Sequence, residues 1–123
     1  MTSGVTLFGI PLTALYCAIA HVESNGGLDP KCGGNVYQIT RNYLEDVNRF
    51  SPYIYPDAVR FDRVASERMM YDYWYFYGMK YITETGKPVT AEILAKIHRV
   101  GYAGLKTRAR TAQRYWVRVK RYL

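Results

Sequence analysis

Glu23 is the residue whose type and surroundings best suit acid–base chemistry. It follows an apolar segment, Val5 to Ala20, and it stands directly before a break that reads Ser24-Asn25-Gly26-Gly27. Burial disfavours the charged form of a carboxyl, so a glutamate at the end of a buried helix is a good general acid. The alternative is that Glu23 is simply the first solvated residue after a core helix. On this stretch alone both interpretations stay open.

The apolar segment and the glycines also predict the helix that positions Glu23. Proline is tolerated in a first helical turn, where its missing N–H costs nothing, so Pro11 can begin a helix that runs to Ser24. Gly26 and Gly27 then end it. The next eleven residues, Asn25 to Asn35, include five glycines or prolines and are predicted to form a loop.

Four further helices are predicted from capping residues and apolar periodicity. They cover Arg41 to Phe50 after a Thr40 cap, Asp62 to Glu84, Ala91 to Val100 after a Thr90 cap, and Thr111 to Tyr122. The long third helix repeats apolar residues at threes and fours, which predicts an inward stripe of Val64, Met70, Tyr73, Trp74, Tyr77 and Tyr81. The expected fold is mainly α, one domain over residues 1–123, with about five helices and at most a minimal β-hairpin near residue 36.

The positive charge is concentrated at one end of the chain. The net charge is +7, and residues 91–123 carry nine Lys or Arg against one Asp or Glu. Such a patch favours an anionic polymer, whether nucleic acid, anionic lipid or an anionic cell wall. The 13 tyrosines suit half-buried positions and stacking on carbohydrate or bases.

The two cysteines indicate whether a metal site or a disulfide is expected, and the first residues indicate whether a signal peptide is. Cys17 and Cys32 form no CxxC pair or Cys/His cluster, so no metal is expected, and they are read either as a disulfide or as two free thiols. Val5 to Ala20 is short for a spanning helix, which needs about 20 apolar residues. Met1 to Gly4 carries no positive charge, so no cleaved signal peptide and no membrane span are expected.

Three segments, in this order, resemble the lysozyme-like superfamily. They are Ala20-His21-Val22-Glu23-Ser24-Asn25-Gly26-Gly27, then Gly34-Asn35-Val36-Tyr37-Gln38-Ile39-Thr40, and then Ala95-Lys96-Ile97-His98-Arg99-Val100-Gly101-Tyr102-Ala103-Gly104 with Thr111 to Trp116 after it. The resemblance is closest to soluble lytic transglycosylases, goose-type lysozymes and small muramidases of bacteria and their viruses. It extends from about Leu15 to Val119.

The resemblance implies a role for particular residues. Glu23 matches the catalytic acid of that superfamily. The residues matched to substrate binding lie beside it or in the other two motifs: Ser24, Tyr37, Gln38, Ile39, His98, Gly101 and Tyr102. Arg99 stands where those proteins usually have asparagine, and the second motif lacks the usual Gly-Leu, which bears on how substrate is placed.

Glycoside cleavage usually employs two carboxyl groups, one of them protonated. Asp29 in the loop and Asp46 in the second predicted helix are the candidates for a second carboxylate, and each is also expected as a plain loop or surface charge. Members of this branch often work with one glutamate, and the attacking group is then water or the substrate's own C6 hydroxyl. His21 lies two positions from Glu23, so a helix points the two side chains apart. Stacking on sugar rings is considered for Tyr43, Tyr102 and Tyr115, with core packing as the simpler alternative.

The main hypothesis is an enzyme that cuts the MurNAc–GlcNAc β-1,4 bond of peptidoglycan with Glu23 as general acid and without a cofactor. The second is a non-catalytic structural or wall-binding module of the same fold, for instance in a virus particle. A nucleic-acid-binding role ranks last, because Gln113 is the only base-reading amide on the last helix. The expected partner is the glycan strand, and the expected state is a monomer unless it belongs to a larger assembly. Its site of action would be the bacterial cell wall, reached after lysis or within a virus particle.

Overall fold

The computed structural model describes residues 5–123. It contains five α-helices, α1 to α5, and one small hairpin of strands β1 and β2. The elements are β1 (Thr6–Leu7), β2 (Ile10–Pro11), α1 (Leu12–Ser24), α2 (Arg41–Phe50), α3 (Arg63–Thr85), α4 (Ala91–Thr107) and α5 (Ala109–Lys120). The mainly α fold class predicted from the sequence is confirmed. Met1 to Gly4, on which the argument against a leader rested, lie outside the described residues.

The hairpin lies at residues 6–11, so its expected position near residue 36 is wrong. Thr6 pairs with Pro11 and Leu7 with Ile10 in antiparallel register, and the two turn residues, Phe8 and Gly9, both have positive φ. That turn geometry matches the right-handed twist of a two-residue hairpin.

Around residue 36 the polar side chain of Asn35 replaces strand pairing. Its amide donates to the carbonyl of Ile39 (2.8 Å) and its oxygen accepts from the Ile39 N–H (2.9 Å). A short polar side chain that bonds its neighbouring backbone competes with a ladder, so this segment forms a turn.

The hairpin is seated on α3 by the ring of Phe8. Gly78 is buried in α3, and a Cβ at that position would lie 2.3 Å from Phe8 Cε2. The absence of a side chain at Gly78 therefore permits the close approach of the Phe8 ring.

Helix α1 begins and ends as the sequence predicts. After Ser24, Asn25 adopts a left-handed conformation (φ 53°), its N–H donates to the carbonyl of His21, and the Gly26 N–H donates to that of Ala20. This pair of bonds satisfies the last carbonyls of the helix. The predicted start of α2 at Thr40 is also confirmed, since the Thr40 hydroxyl accepts from the Tyr43 N–H (3.2 Å).

Helix α3 supplies the centre of the core. Met70, Tyr73 and Trp74 are buried as expected, but Val64 is 69% exposed, so its place in the inward stripe is wrong. Val64 lies in the first turn of α3, beyond the region that the neighbouring elements cover. Trp74 stacks on Tyr16 of α1 at a centroid distance of 5.6 Å, which joins the two central helices.

Helix α4 changes direction at Gly101, directly after Val100 where the sequence predicts its end, and a second segment that was not predicted follows. At Gly101 the backbone has φ 77° and ψ 171°, a combination essentially restricted to glycine, and the helix kinks there before running on to Thr107. The kink turns the second half of α4 toward α5, which begins at Ala109.

Both cysteines are free thiols. Cys17 is exposed on α1 and Cys32 is buried in the loop that follows it. The sequence left a disulfide and two thiols as alternatives, and the thiols are observed. Within residues 5–123 no helix is both long and apolar enough to cross a membrane.

Ser24 ties the loop after α1 to the helix end. It is 2% exposed, its hydroxyl donates to the carbonyl of Val36 (2.7 Å) and it accepts from the N–H of Gly27 (2.9 Å). These bonds fix how the loop leaves the helix, immediately beside Glu23.

Replacing Ser24 by alanine should lower the free energy of unfolding by about 1–3 kcal/mol, because the partly buried Val36 carbonyl loses its donor and the Gly27 N–H loses one of its two acceptors. Thr13→Ala removes a hydroxyl from an exposed position of the same helix and should change it by less than about 0.5 kcal/mol. Urea titration of the three proteins measures both values. An equal loss in the two variants would contradict a tethering role for Ser24.

Candidate functional site

Glu23 lies at the C-terminal end of α1, where α1 packs against α5. Its side chain is 12% exposed, and the Tyr115 hydroxyl donates to its Oε2 at 2.8 Å. Burial, and after it the charge of Glu23, raises the pKa of Tyr115, so this phenol remains a hydrogen-bond donor at any ordinary pH. One oxygen of the Glu23 carboxyl is thus held by α5.

Glu23 borders a cleft of about 640 Å³. One side is formed by α2 and the residues before it, the other by α4 and the junction with α5, and Tyr73 of α3 reaches the cleft between them. The lining residues are Glu23, Gln38, Thr40, Asn42, Tyr43, Glu45, Asp46, Arg49, Tyr73, His98, Arg99, Val100, Gly101 and Arg108.

His98 is a buried imidazole that connects three parts of the chain. Its Nε2 lies 2.9 Å from the carbonyl oxygen of Tyr37, and its Nδ1 lies 3.2 Å from the hydroxyl of Tyr43. A carbonyl can only accept, so in the neutral ring Nε2 carries the hydrogen and Nδ1 accepts from Tyr43. The two bonds join α4 to the segment before α2 and to α2 itself.

The imidazole of His98 is neutral near pH 7. Burial lowers its pKa below the usual 6.5, while the charge of Glu23 and the Tyr37 carbonyl act in the opposite direction and Arg99 adds to the lowering. The 3.8 Å separation between His98 Nε2 and Glu23 Oε2 is therefore not an ion pair at that pH. His98 acts on Glu23 as a neighbouring dipole and as a support.

The second motif contributes one residue to the cleft and two to the core. Gln38 lines the cleft with a left-handed backbone (φ 54°), and its amide donates to the carbonyl of Asn35 at 2.8 Å. Tyr37 and Ile39 are buried. The Tyr37 hydroxyl donates to Glu67 of α3, so Tyr37 holds His98 through its backbone rather than touching a ligand.

Three other residues matched to substrate binding have different positions. Gly101 lines the cleft, whereas Ser24 is buried beneath the loop. Tyr102 lies outside the cleft, where its ring stacks on Tyr77 and its hydroxyl donates to Glu84 (2.7 Å). The structure thus brings Glu23, Gln38, His98 and Gly101 together and leaves Ser24 and Tyr102 apart from them.

The two candidates for a second carboxylate are both engaged elsewhere. Asp29 caps a short 3-10 turn, Pro30–Cys32, by accepting from the N–H of Lys31 (2.9 Å), and it does not line the cleft. Asp46 does line the cleft and is 18% exposed, but it is paired with Arg49 and accepts from the hydroxyl of Tyr77. Glu45, which the sequence did not single out, is an exposed carboxylate on the same side.

Sequence reasoning missed two features of the site. Tyr115 was considered only for stacking on sugar, and no local pattern could pair it with a carboxyl 92 positions away. Arg49 and Arg108 were read only as part of the general charge, because their approach to the cleft follows from helix packing. Within residues 5–123 no three His, Cys, Asp or Glu side chains come close enough together to hold a metal ion.

Comparison with known proteins identifies no relative of this chain. The chain matches no family model, no curated protein and no solved structure. The function is therefore inferred from the residues of the cleft.

Protonation of His98 should couple the stability of the fold to pH. The unfolded chain takes up a proton at His98 near pH 6.5, while the folded chain resists it because its pKa is lowered. The free energy of unfolding then has its full value above pH 6.5. At pH values below 6.5 it decreases by up to about 1.4 kcal/mol per pH unit, until the pKa of His98 in the folded chain is reached.

Denaturant titrations at pH 7 and pH 5 measure this loss. His98→Gln, whose amide can also donate and accept, should lose less stability between the two pH values than the wild type. His21 is exposed and stacks on Tyr122, so His21→Gln should behave as the wild type. Parallel losses in the wild type and His98→Gln would show that His98 does not carry the pH dependence.

Proposed function

We propose that this protein cleaves the MurNAc–GlcNAc β-1,4 bond of peptidoglycan, with Glu23 as the general acid. The observation that carries the proposal is the position of Glu23: a nearly buried carboxyl at a helix end, in the wall of a cleft of about 640 Å³. The resemblance to lysozyme-like proteins, noted from three separated motifs, supports the same assignment. Glu23, Gln38, His98 and Gly101, one or more from each motif, border that one cleft.

In the proposed reaction Glu23 donates its proton to the glycosidic oxygen as the bond from C1 of MurNAc breaks. The leaving GlcNAc departs with a free 4-hydroxyl, and positive charge develops at C1. A water molecule, or the C6 hydroxyl of the same sugar, then forms the new bond to C1. Its proton passes to the Glu23 carboxylate, which returns to its starting state.

Tyr115 and His98 are positioning residues in this scheme. The hydroxyl of Tyr115 holds Oε2, which leaves the other oxygen of Glu23 as the one to exchange the proton with substrate. His98, neutral and fixed by two hydrogen bonds, fills the space behind the carboxyl. A rotationally fixed carboxyl raises the rate because less freedom remains to be lost in the transition state.

The contacts of Asp46 and Asp29 argue against either one as the second carboxylate. Glu45 is the other carboxylate of the cleft and lies exposed on its α2 side, and we propose a mechanism with one carboxyl, in which Glu23 acts without it. Asp46 already compensates the charge of Arg49, and Asp29 caps a turn away from the cleft. Those contacts also motivate the alternative, a module of this shape that binds the wall without cutting it. The two functions can be distinguished by replacing Glu23 with a residue that cannot donate a proton, because only the enzyme would lose an activity.

Glu23→Gln should abolish cleavage of purified peptidoglycan, with a loss of at least about a hundredfold, because general acid catalysis contributes at least that much. The matched control is Glu84→Gln, since Glu84 also accepts a hydrogen bond from a tyrosine hydroxyl but lies outside the cleft. Mass spectrometry of the released fragments gives the rate and the product. A reducing MurNAc end identifies water as the attacking group, and a 1,6-anhydro end identifies the C6 hydroxyl.

Equal and negligible release by folded wild type and Glu23→Gln would overturn the enzymatic proposal and favour the wall-binding module. Asp46→Asn addresses the number of carboxyls. If that variant folds normally and loses as much activity as Glu23→Gln, the mechanism with one carboxyl is wrong.

A further inference from the structure

Two arginines on the α4–α5 side of the cleft have no acidic partner among residues 5–123. Arg99 and Arg108 both line the cleft, and neither takes part in the ion pairs found within residues 5–123. Arg49, the third arginine of the cleft, is instead neutralised by Asp46. A guanidinium presents a planar set of donors that matches a carboxylate in a bidentate manner, so an unpaired one in a cleft is suited to bind that group.

Arg99 is also close to the proposed acid. Its guanidinium carbon lies 5.9 Å from the centre of the Tyr115 ring, and the hydroxyl of that ring bonds Glu23. It follows His98 directly in α4, and its charge contributes to the lowered pKa of that imidazole. A group held by Arg99 would therefore lie beside the glycosidic bond whose oxygen Glu23 protonates in the proposed reaction.

The charges of the cleft are unequally divided between its two sides. Glu45 and Asp46 both belong to α2, and Glu45 also borders a shallow groove with Arg41 and Asp57 on the outer side of that helix. Arg99 and Arg108 belong to α4 and to its junction with α5. These charges would orient a glycan strand that carries anionic groups along one edge. That edge would face the arginines of α4 and the α4–α5 junction.

We propose that Arg99 and Arg108 form a carboxylate-binding subsite that selects glycan carrying carboxylates on its MurNAc residues over neutral glycan. The inference rests on the proposed function and deepens it, since it assigns the substrate feature that the cleft reads. The carboxylate can come from two sources, the lactyl group of a MurNAc without peptide or the peptide attached to it. GlcNAc offers neither.

The test compares cleavage of four substrates by the wild type and two double variants. The substrates are peptide-free glycan strands and peptide-bearing strands, each with its carboxylates free or converted to amides. Arg99→Gln/Arg108→Gln removes the subsite. Arg110→Gln/Arg114→Gln removes the same charge from exposed positions outside the cleft and is the matched control.

The wild type should show a higher kcat/KM on strands with free carboxylates than on their amides, by about tenfold for each arginine engaged. The preference should disappear in Arg99→Gln/Arg108→Gln and persist in Arg110→Gln/Arg114→Gln. A preference on peptide-free strands assigns the lactyl carboxylate, and one confined to peptide-bearing strands assigns the peptide. Equal cleavage of free and amidated strands by the wild type, or an equal loss of preference in both double variants, would overturn the subsite.

Calorimetric measurement of binding to the same four substrates distinguishes a failure of the proposed function from a failure of the subsite. If no strand is cut but free carboxylates still bind more tightly, and only Arg99→Gln/Arg108→Gln removes the difference, the subsite stands without the enzyme. If binding shows no such difference either, both proposals are wrong.

Discussion

The hydrogen bonds of the buried His98 are the interactions on which the shape of the cleft depends. One ring nitrogen contacts the Tyr37 carbonyl, 61 positions away in the chain, and the other contacts the Tyr43 hydroxyl, 55 positions away. Tyr43 belongs to α2 and Tyr37 to the segment before it, whereas His98 belongs to α4. The position of α4 relative to these two segments therefore depends on where one imidazole is held.

The tyrosines around that imidazole also reach polar partners, whereas the buried Nε1–H of Trp74 has no partner among residues 5–123. Tyr37 donates to Glu67, and Tyr16, which stacks on Trp74, donates to the carbonyl of the same Glu67 residue (2.9 Å). A polar network inside an aromatic core is costly when one member is missing, and it specifies a single arrangement when all are present. The many tyrosines of this chain thus serve the core chiefly as rings that carry a hydroxyl to a buried partner.

The cleft contains a carboxyl group held in one orientation, and its acidic and basic side chains lie mainly on different sides. Glu23 is held through Tyr115 of α5, whereas Arg99 and Arg108 line the same cleft and form no ion pair within residues 5–123. The basic residues of the last third of the chain are therefore of two kinds. Those exposed on α5, namely Arg110, Arg114, Arg118 and Lys120, attract any polyanion, while Arg99 and Arg108 are the two that we propose select among ligands in the cleft.

Local chemistry in the sequence determined the helices and their ends, because caps and glycines act within a few residues. Thr40 and Thr90 each accept from the N–H three residues on, as neighbouring residues predict. Helix α1 also ends after Ser24 as predicted, although the left-handed residue that ends it is Asn25 and not one of the two expected glycines. The same local reading placed the hairpin at the wrong site, since it could not tell that the Asn35 side chain would bond the backbone of Ile39 or that Gly78 would admit Phe8. It did end the first segment of α4 at Val100, directly before the non-helical Gly101, but it did not predict the second segment that runs on to Thr107.

For the site, the sequence by itself determined that Glu23 stands at a helix end before a glycine-rich loop. Only the tertiary structure decided which residues meet it. Ser24 proved to be a tether and Tyr102 a surface contact, while Tyr115 came to the carboxyl from 92 positions away. The physical reason is that capping and turn preferences are properties of adjacent residues, whereas hydrogen bonds and unpaired charges in a cleft arise from packing helices that are distant in the chain.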